Sequence, residues 1–445
     1  MSALVDVARQ SPWRGRYGRT TIGVFSLAFL FAFEALAVST VMPQVADELD
    51  GLSWYPVAFA GPLAASIVAL AWAGPAADRL GPGPVMRRGL AVFALGVVLA
   101  GAAPTMPLFV AGRLVHGYGG GVLGVALYVL IAQAYPETMR PRVFAVLTTA
   151  WVLPALVGPL LAAQVADVVG WRWVFLGVPA LAFAAWLLVA DAPSRPSALE
   201  PGRVPLRFAW LAAGGTLLLS LAGQRVVAWW PVLVALGVMA ILLGGRRLLP
   251  PGFWRLASGL PAVLLSRAAI GTAFAAAEVY LPLLLTLERG LSLTEAGWVL
   301  TIGAVTWSAG AVLAARWSVL SDQPGRVRIG AALVAVGLFG FATVSLPVVP
   351  LVVAMASWGV AGLGIGMAFS TLSVLALATA REGEEGRTSS ALQTNDYLSM
   401  AGFIAVGGVI FAGFAQSAPV AAGTGLVLAA AALAALALVP ARKLG

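Results

Sequence analysis

The feature that most constrains this 445-residue chain is a succession of long apolar runs. They lie near 21–43, 54–76, 86–104, 107–134, 143–166 and 171–191, then 207–222 and 226–245, then 262–287, 295–316, 328–347, 349–379, 391–415 and 418–440. A helix needs about 20 apolar residues to cross a bilayer. Only helices and closed barrels cross, because backbone polar groups find no water there. The short alternating segments of barrel strands do not occur. The pattern therefore predicts an all-α integral membrane protein with fourteen transmembrane helices and very short loops. The pair over 207–245 is shorter, and a re-entrant hairpin would keep the same sides.

Charge provides a second test. Only 10% of residues are charged and 60% are hydrophobic, with mean hydropathy +0.95. Soluble domains carry about 25% charged residues, and disordered chains have the opposite bias, so both classes are excluded. Cytoplasmic flanks of membrane helices are rich in Lys and Arg. With the N-terminus inside and sides alternating, 23 basic residues fall inside and 3 outside, namely Arg172, Arg225 and Arg289. Arg113 stays within a span. The net charge of +9 thus reads as a topology signal rather than a nucleic-acid surface. Both termini are expected to be cytoplasmic, with no secretory signal in residues 1–20. Arginine supplies 26 of the 27 basic residues, which suggests a high-GC bacterium and its inner membrane. Zero cysteines and the single His116 exclude disulfide frameworks, thiolate metal sites and a cysteine nucleophile. No metal or cofactor is expected.

A shift of 245 residues places Gly117, Gly119 and Gly121 on Gly362, Gly364 and Gly366, Leu127 and Leu130 on Leu372 and Leu375, and Arg142 on Arg387. At a shift of 244, Asp78 and Gly81 meet Asp322 and Gly325. The expected organisation is an N-terminal segment 1–20, a six-helix half 21–192, a linker and inserted helix pair 193–261, a second six-helix half 262–440 and a tail 441–445. Internal repeats about a midplane site are the usual plan of secondary transporters.

Several motifs carry mechanism. The loop after the second span reads Gly74-Pro-Ala-Ala-Asp78-Arg79-Leu-Gly81, with Arg87-Arg88 following. A carboxylate at a helix end can pair with basic residues or cap a neighbouring helix N-terminus. Such a loop serves either as a conformational latch, with Asp322 as its second copy, or simply as a topology-setting charge cluster. The fourth span opens Arg113-Leu-Val-His116-Gly117. An intramembrane Arg faces protein or a water-filled cavity, or snorkels to the interface. His116, one turn away, is a packing residue or a proton relay. The fifth span holds Pro154, Gly158 and Pro159, which remove backbone donors and bend a helix. Gly170-Trp-Arg172-Trp173-Val-Phe175 opens the sixth span. In the first span Glu34 stands nine residues before Pro43.

Together these stretches resemble the major facilitator superfamily, and its fourteen-span drug:proton antiporter branch in particular. The Asp78 loop resembles the family's signature loop, with Pro82 and Gly83 placed before the basic pair. Arg113 and Gly117 match its Arg-x-x-x-Gly motif. Gly158-Pro159 matches its antiporter motif, with Pro154 and Ala162-Ala163 at glycine positions. The Trp171–Phe175 stretch and Glu34 match the entry to the sixth span and the acid position of the first. The resemblance implies the major facilitator fold, two six-helix halves with a two-helix insertion, and a monomer.

Three carboxylates lie well inside apolar runs: Glu34, Glu278 and Asp396. Burial favours the neutral form of a carboxyl and brings proton exchange towards neutral pH. Each is a candidate proton or substrate site, or else part of a structural pair. Asp396 sits in the polar stretch Gln393-Thr394-Asn395-Asp396-Tyr397. Trp151, Tyr128, Trp307, Trp358 and Tyr397 either line a cavity or pack. The expected function is a proton-coupled exporter of hydrophobic or cationic small molecules working by alternating access. A lipid or glycolipid exporter on the same scaffold is the alternative. An integral-membrane enzyme is disfavoured, since no GxSxG, HExxH or GxxxxGK[ST] motif occurs.

Overall fold

The computed structural model describes residues 12–136, 139–196, 206–224, 228–316, 322–378 and 385–444. Regular structure among them is entirely helical. The helices are α1 (Gly18–Glu48), α2 (Val57–Leu80), α3 (Pro82–Gly101), α4 (Met106–Ala134), α5 (Arg140–Val169), α6 (Arg172–Leu176) and α7 (Val178–Leu187). Then follow α8 (Leu206–Gly223), α9 (Trp230–Leu248), α10 (Leu260–Arg289), α11 (Leu293–Arg316), α12 (Gln323–Phe341) and α13 (Leu351–Ala378). The last are α14 (Glu385–Phe414), α15 (Pro419–Leu436) and α16 (Leu438–Ala441). Among the described residues twelve helices are long and apolar enough to cross a membrane. Two shorter apolar stretches, Leu153–Val169 within α5 and Arg172–Leu187 over α6 and α7, stand where the fifth and sixth runs are expected. The inserted pair forms helices of 18 and 19 residues. At 1.5 Å per residue these reach about 27 to 29 Å, close to the ~30 Å of the hydrocarbon layer.

Local chemistry sets the helix ends. Gly81 adopts φ +79°, a conformation open to glycine, and Pro82 then starts α3. Gly290 ends α10 in the left-handed region, its N–H reaching the carbonyls of Leu285 and Thr286. Ser292 and Glu295 form a capping box for α11, with Ser292 N–H donating to Glu295 Oε2 at 2.8 Å and Glu295 N–H to Ser292 Oγ at 3.2 Å. Outward-facing positions are apolar rather than polar: Leu95, Phe183, Leu236, Met239, Val336 and Phe339 are all exposed. That inverted surface is what a lipid environment selects.

The chain divides into two compact units. One holds the residues up to Val38 together with Ala65–Leu206; the other holds Ser39–Ala64 together with the chain from Arg207 onward. In the first unit, glycines bring α4 against its neighbours. A Cβ on Gly119 would lie 2.2 Å from the Phe93 backbone nitrogen of α3, and one on Gly121 2.7 Å from Ala69 of α2. The second unit repeats this. A Cβ on Gly364 would lie 2.6 Å from the Gly330 carbonyl of α12, and one on Gly366 2.0 Å from the Trp307 carbonyl of α11. The paired glycines of the sequence repeat thus occupy equivalent backbone approaches.

Candidate functional site

Among the described residues, two buried ion-paired clusters and one acid without a side-chain partner lie within the apolar helices. The first cluster belongs to the first unit. Glu34, in the middle of α1, is 1% exposed. Arg113 and His116 sit three residues apart on α4, so one helix face presents both towards it. Arg113 Nη1 donates to Glu34 Oε1. His116 Nε2 lies 2.7 Å from Glu34 Oε2, and Arg113 Nη1 lies 3.1 Å from His116 Nδ1. The imidazole packs against the Phe93 ring with 4.8 Å between centroids. All three residues were singled out from the sequence; their convergence was not. Arg113 does not snorkel, because its side chain is 5% exposed and its guanidinium is turned to the acid.

The second cluster belongs to the second unit. Arg267 donates from Nε to both oxygens of Asp396 at 3.0 Å and from Nη2 to Oδ2 at 2.8 Å. Its Nη1 reaches Ser373 Oγ at 2.7 Å, and its guanidinium carbon stands 3.5 Å over the Phe369 ring. The charge count assigns Arg267 to the cytoplasmic side. It is the eighth residue of α10, and this pair holds it within the protein. Its position inside the run 262–287 was the available signal. Asp396 is accordingly an ion-paired acid rather than an isolated one. Asn395 is fully buried and donates to the Leu264 carbonyl at 3.1 Å, which ties α14 to α10. Gln393 and Tyr397 are half-buried on α14.

Glu278, on α10, is half-buried and makes no hydrogen bond or ion pair with a described residue. Two residues on, Tyr280 is buried against Tyr55 and Phe411, and Tyr55 Oη donates to the Val279 carbonyl at 2.9 Å. Of the aromatic residues, Trp358 is buried and stacked on Phe274, so it packs. Trp307 is half-buried against Phe274 and Phe369. Tyr128 is exposed, and the Trp151 side chain lies outside the described residues.

The signature loop occupies one end of the first unit. Asp78 and Arg79 lie in the last turn of α2, and Asp78 makes no ion pair among the described residues. A Cβ on Gly81 would meet Ser194 Oγ at 2.8 Å, and Gly83 N–H donates to that oxygen at 2.8 Å. Ser194 and Arg195, whose backbone exchanges two hydrogen bonds with Gln133, were not anticipated as partners of this loop. Gly74 has open space around its missing Cβ. Asp322 plays a different part from Asp78. It is the N-cap of α12, accepting from Gly325 N–H at 3.0 Å and pairing with Arg328 at 3.1 Å. Pro154 and Pro159 lie inside α5, and a Cβ on Gly158 would touch Phe33 at 3.5 Å.

Comparison with known proteins follows the same lines. The family model described as Major Facilitator Superfamily matches residues 24–405. A protein of Mycobacterium tuberculosis named "Probable multidrug-efflux transporter" is 27% identical, over 95% of this chain and 94% of its own length. The Multidrug transporter protein MdtP of Bacillus subtilis is 27% identical over 52% of this chain and 44% of its own. Among solved structures, a peptide transporter POT in complex with sulfate has TM-score 0.70 at 14% identity, covering 99% of both chains. A D-xylose–proton symporter has TM-score 0.64 at 17% identity, covering 94% of this chain and 96% of its own.

Proposed function

The chain belongs to the Major Facilitator Superfamily, a family of multi-pass membrane transporters rather than enzymes, and we propose that it is a proton-coupled exporter of hydrophobic or cationic small molecules. The buried Glu34–Arg113–His116 cluster carries this reading. A carboxylate held between a permanent cation and a titratable base is a site where one proton changes the pairing of all three. The multidrug-efflux relatives support the drug-export direction. Glu278, which has no ionic partner among the described residues, supplies a carboxylate suited to meeting a cationic substrate.

In this reading the chain crosses the inner membrane of a bacterium fourteen times as a monomer, with both termini cytoplasmic. Its two sequence halves, 21–192 and 262–440, alternate access to a central site. The Asp78 loop, with Ser194 against Gly81, acts as a latch on the cytoplasmic side. Substrate enters from the cytoplasm while the cluster is unprotonated, and a proton taken up from outside replaces it.

Flux into proteoliposomes under an imposed pH gradient tests this. Uphill movement of a lipophilic cation is expected, and Glu34→Gln should reduce it to the no-gradient rate while passive binding persists. Transport that ignores the gradient overturns the coupling. Lipid equilibration without a gradient would favour the lipid-exporting alternative.

A further inference from the structure

The geometry around His116 points to this imidazole, rather than the Glu34 carboxyl, as the atom group that takes the coupling proton. The inference rests on the proton-coupled reading and names the proton's seat within it. A guanidinium has only N–H donors. Arg113 Nη1, 3.1 Å from His116 Nδ1, therefore donates, and Nδ1 offers a lone pair. At the opposite edge of the ring, Nε2 is 2.7 Å from Glu34 Oε2. Neither of these two atoms has another hydrogen-bond partner among the described residues. Two lone pairs at that distance would repel, so a proton lies between them, and it belongs to Nε2. The neutral Nε2–H tautomer follows, accepting from Arg113 and donating to Glu34.

The charged and titratable groups facing the ring are few. Glu34 approaches from α1, and Arg113 from the same helix. From α3 the Phe93 ring packs on the imidazole, while Gly96 lies against the His116 backbone, and among the described residues α3 brings no charged group to the ring. The cluster's formal charge is zero. One added proton has two possible seats. On Glu34 it would cancel the ion pair to Arg113 and the anion that accepts from His116, both charge-assisted and thus the stronger contacts. On His116 Nδ1 it costs the Arg113–Nδ1 contact and sets two cations side by side, but it keeps the Glu34 carboxylate charged between them and turns the Nε2–H···Oε2 bond into an imidazolium–carboxylate pair. The second seat loses less.

The step balances simply. A proton from water bonds the Nδ1 lone pair, Nε2 keeps its own hydrogen, and Arg113 keeps all of its protons. The cluster gains one positive charge. Guanidinium N–H now faces imidazolium N–H, so Arg113 must swing off His116. Loss of the proton draws it back. His116 thereby sets the position of Arg113 according to proton load.

This is testable without a known substrate, because His116 is the only histidine of 445 residues. Protein labelled with 15N-histidine and purified through a histidine-free tag gives one imidazole in nanodiscs. We expect the Nε2–H tautomer at alkaline pH, converting to imidazolium as the pH is lowered. Glu34→Gln should move that conversion to lower pH, because it removes the stabilising anion. An Nδ1–H tautomer at alkaline pH, or a ring that stays neutral throughout, overturns the proposal. In proteoliposomes His116→Asn should flatten the pH profile of whatever substrate movement remains. An unchanged pH profile also overturns it. The spectra stand whether or not drug export proves to be the function.

Discussion

Arg267 grips both oxygens of Asp396 and lies flat on Phe369, and this arrangement decides what each residue is worth. With side chains 10% and 19% exposed, the two charges are largely removed from water. Removing one partner of such a pair costs about 3–5 kcal/mol, whereas replacing both by apolar groups is often neutral. Arg267→Ala is therefore expected to lower the unfolding temperature in detergent sharply, and Arg267→Met combined with Asp396→Leu to recover most of it. A double variant as unstable as the single one would show that the pair does more than satisfy itself. At this scale the sequence disclosed which residues are unusual but not which meet. Glu34, Arg113, His116 and Asp396 stood out because ionisable groups are scarce in apolar runs. Arg267 did not, since an arginine seven residues from a helix start reads like the flanking arginines that set topology. Its partner lies 129 positions away, a distance that no local pattern spans.

Helices are held together here by glycine at specific crossings, and the sequence repeat was legible for that reason. Gly119 allows α4 onto the backbone of α3, and Gly364 allows α13 onto that of α12. A methyl group at either position meets main chain, which cannot rotate away. Overpacking of side chains alone typically costs 1–3 kcal/mol, so Gly119→Ala and Gly364→Ala should each lose at least about that much, read as a fall in unfolding temperature. Gly74→Ala, with nothing near the added methyl, should leave stability unchanged. The inserted pair follows the same principle. A Cβ on Gly245 would touch Leu398, and one on Gly223 would touch Val409, so α9 and α8 both lie along α14. At the tip, Ser53 Oγ donates to Gln224 Oε1 at 3.0 Å, and Gln224 Nε2 donates back to the Ser53 carbonyl at 3.2 Å. Ser53→Cys with Gln224→Cys should therefore be bridged by a short bifunctional thiol reagent, in a chain that has no cysteine of its own. Failure to bridge would mean that this contact is not kept in the membrane. The apolar pattern predicted both inserted helices, but it could not tell that their tip grips the loop between α1 and α2.

For the molecule as a whole, the fourteen-crossing topology makes a demand that charge counting and helix length make separately. If Leu153–Val169 and Arg172–Leu187 each cross, position 172 lies on the face opposite the termini. If the inserted pair crosses rather than dipping in, Trp229 lies there too. Single cysteines settle the matter because the background is cysteine-free. In intact cells, Arg172→Cys and Trp229→Cys should react with a membrane-impermeant maleimide. Arg195→Cys and Arg442→Cys should react only after permeabilisation. A protected Trp229→Cys beside a reactive Arg172→Cys would make the insertion a re-entrant hairpin, and the sidedness of the second half would survive, since a hairpin and two crossings return the chain to the same side. A protected Arg172→Cys would be more consequential. It would remove the fifth helix as a crossing, and with it the place of Pro154, Gly158 and Pro159 in the transport path, while leaving the Glu34–Arg113–His116 cluster in helices whose length alone carries them across.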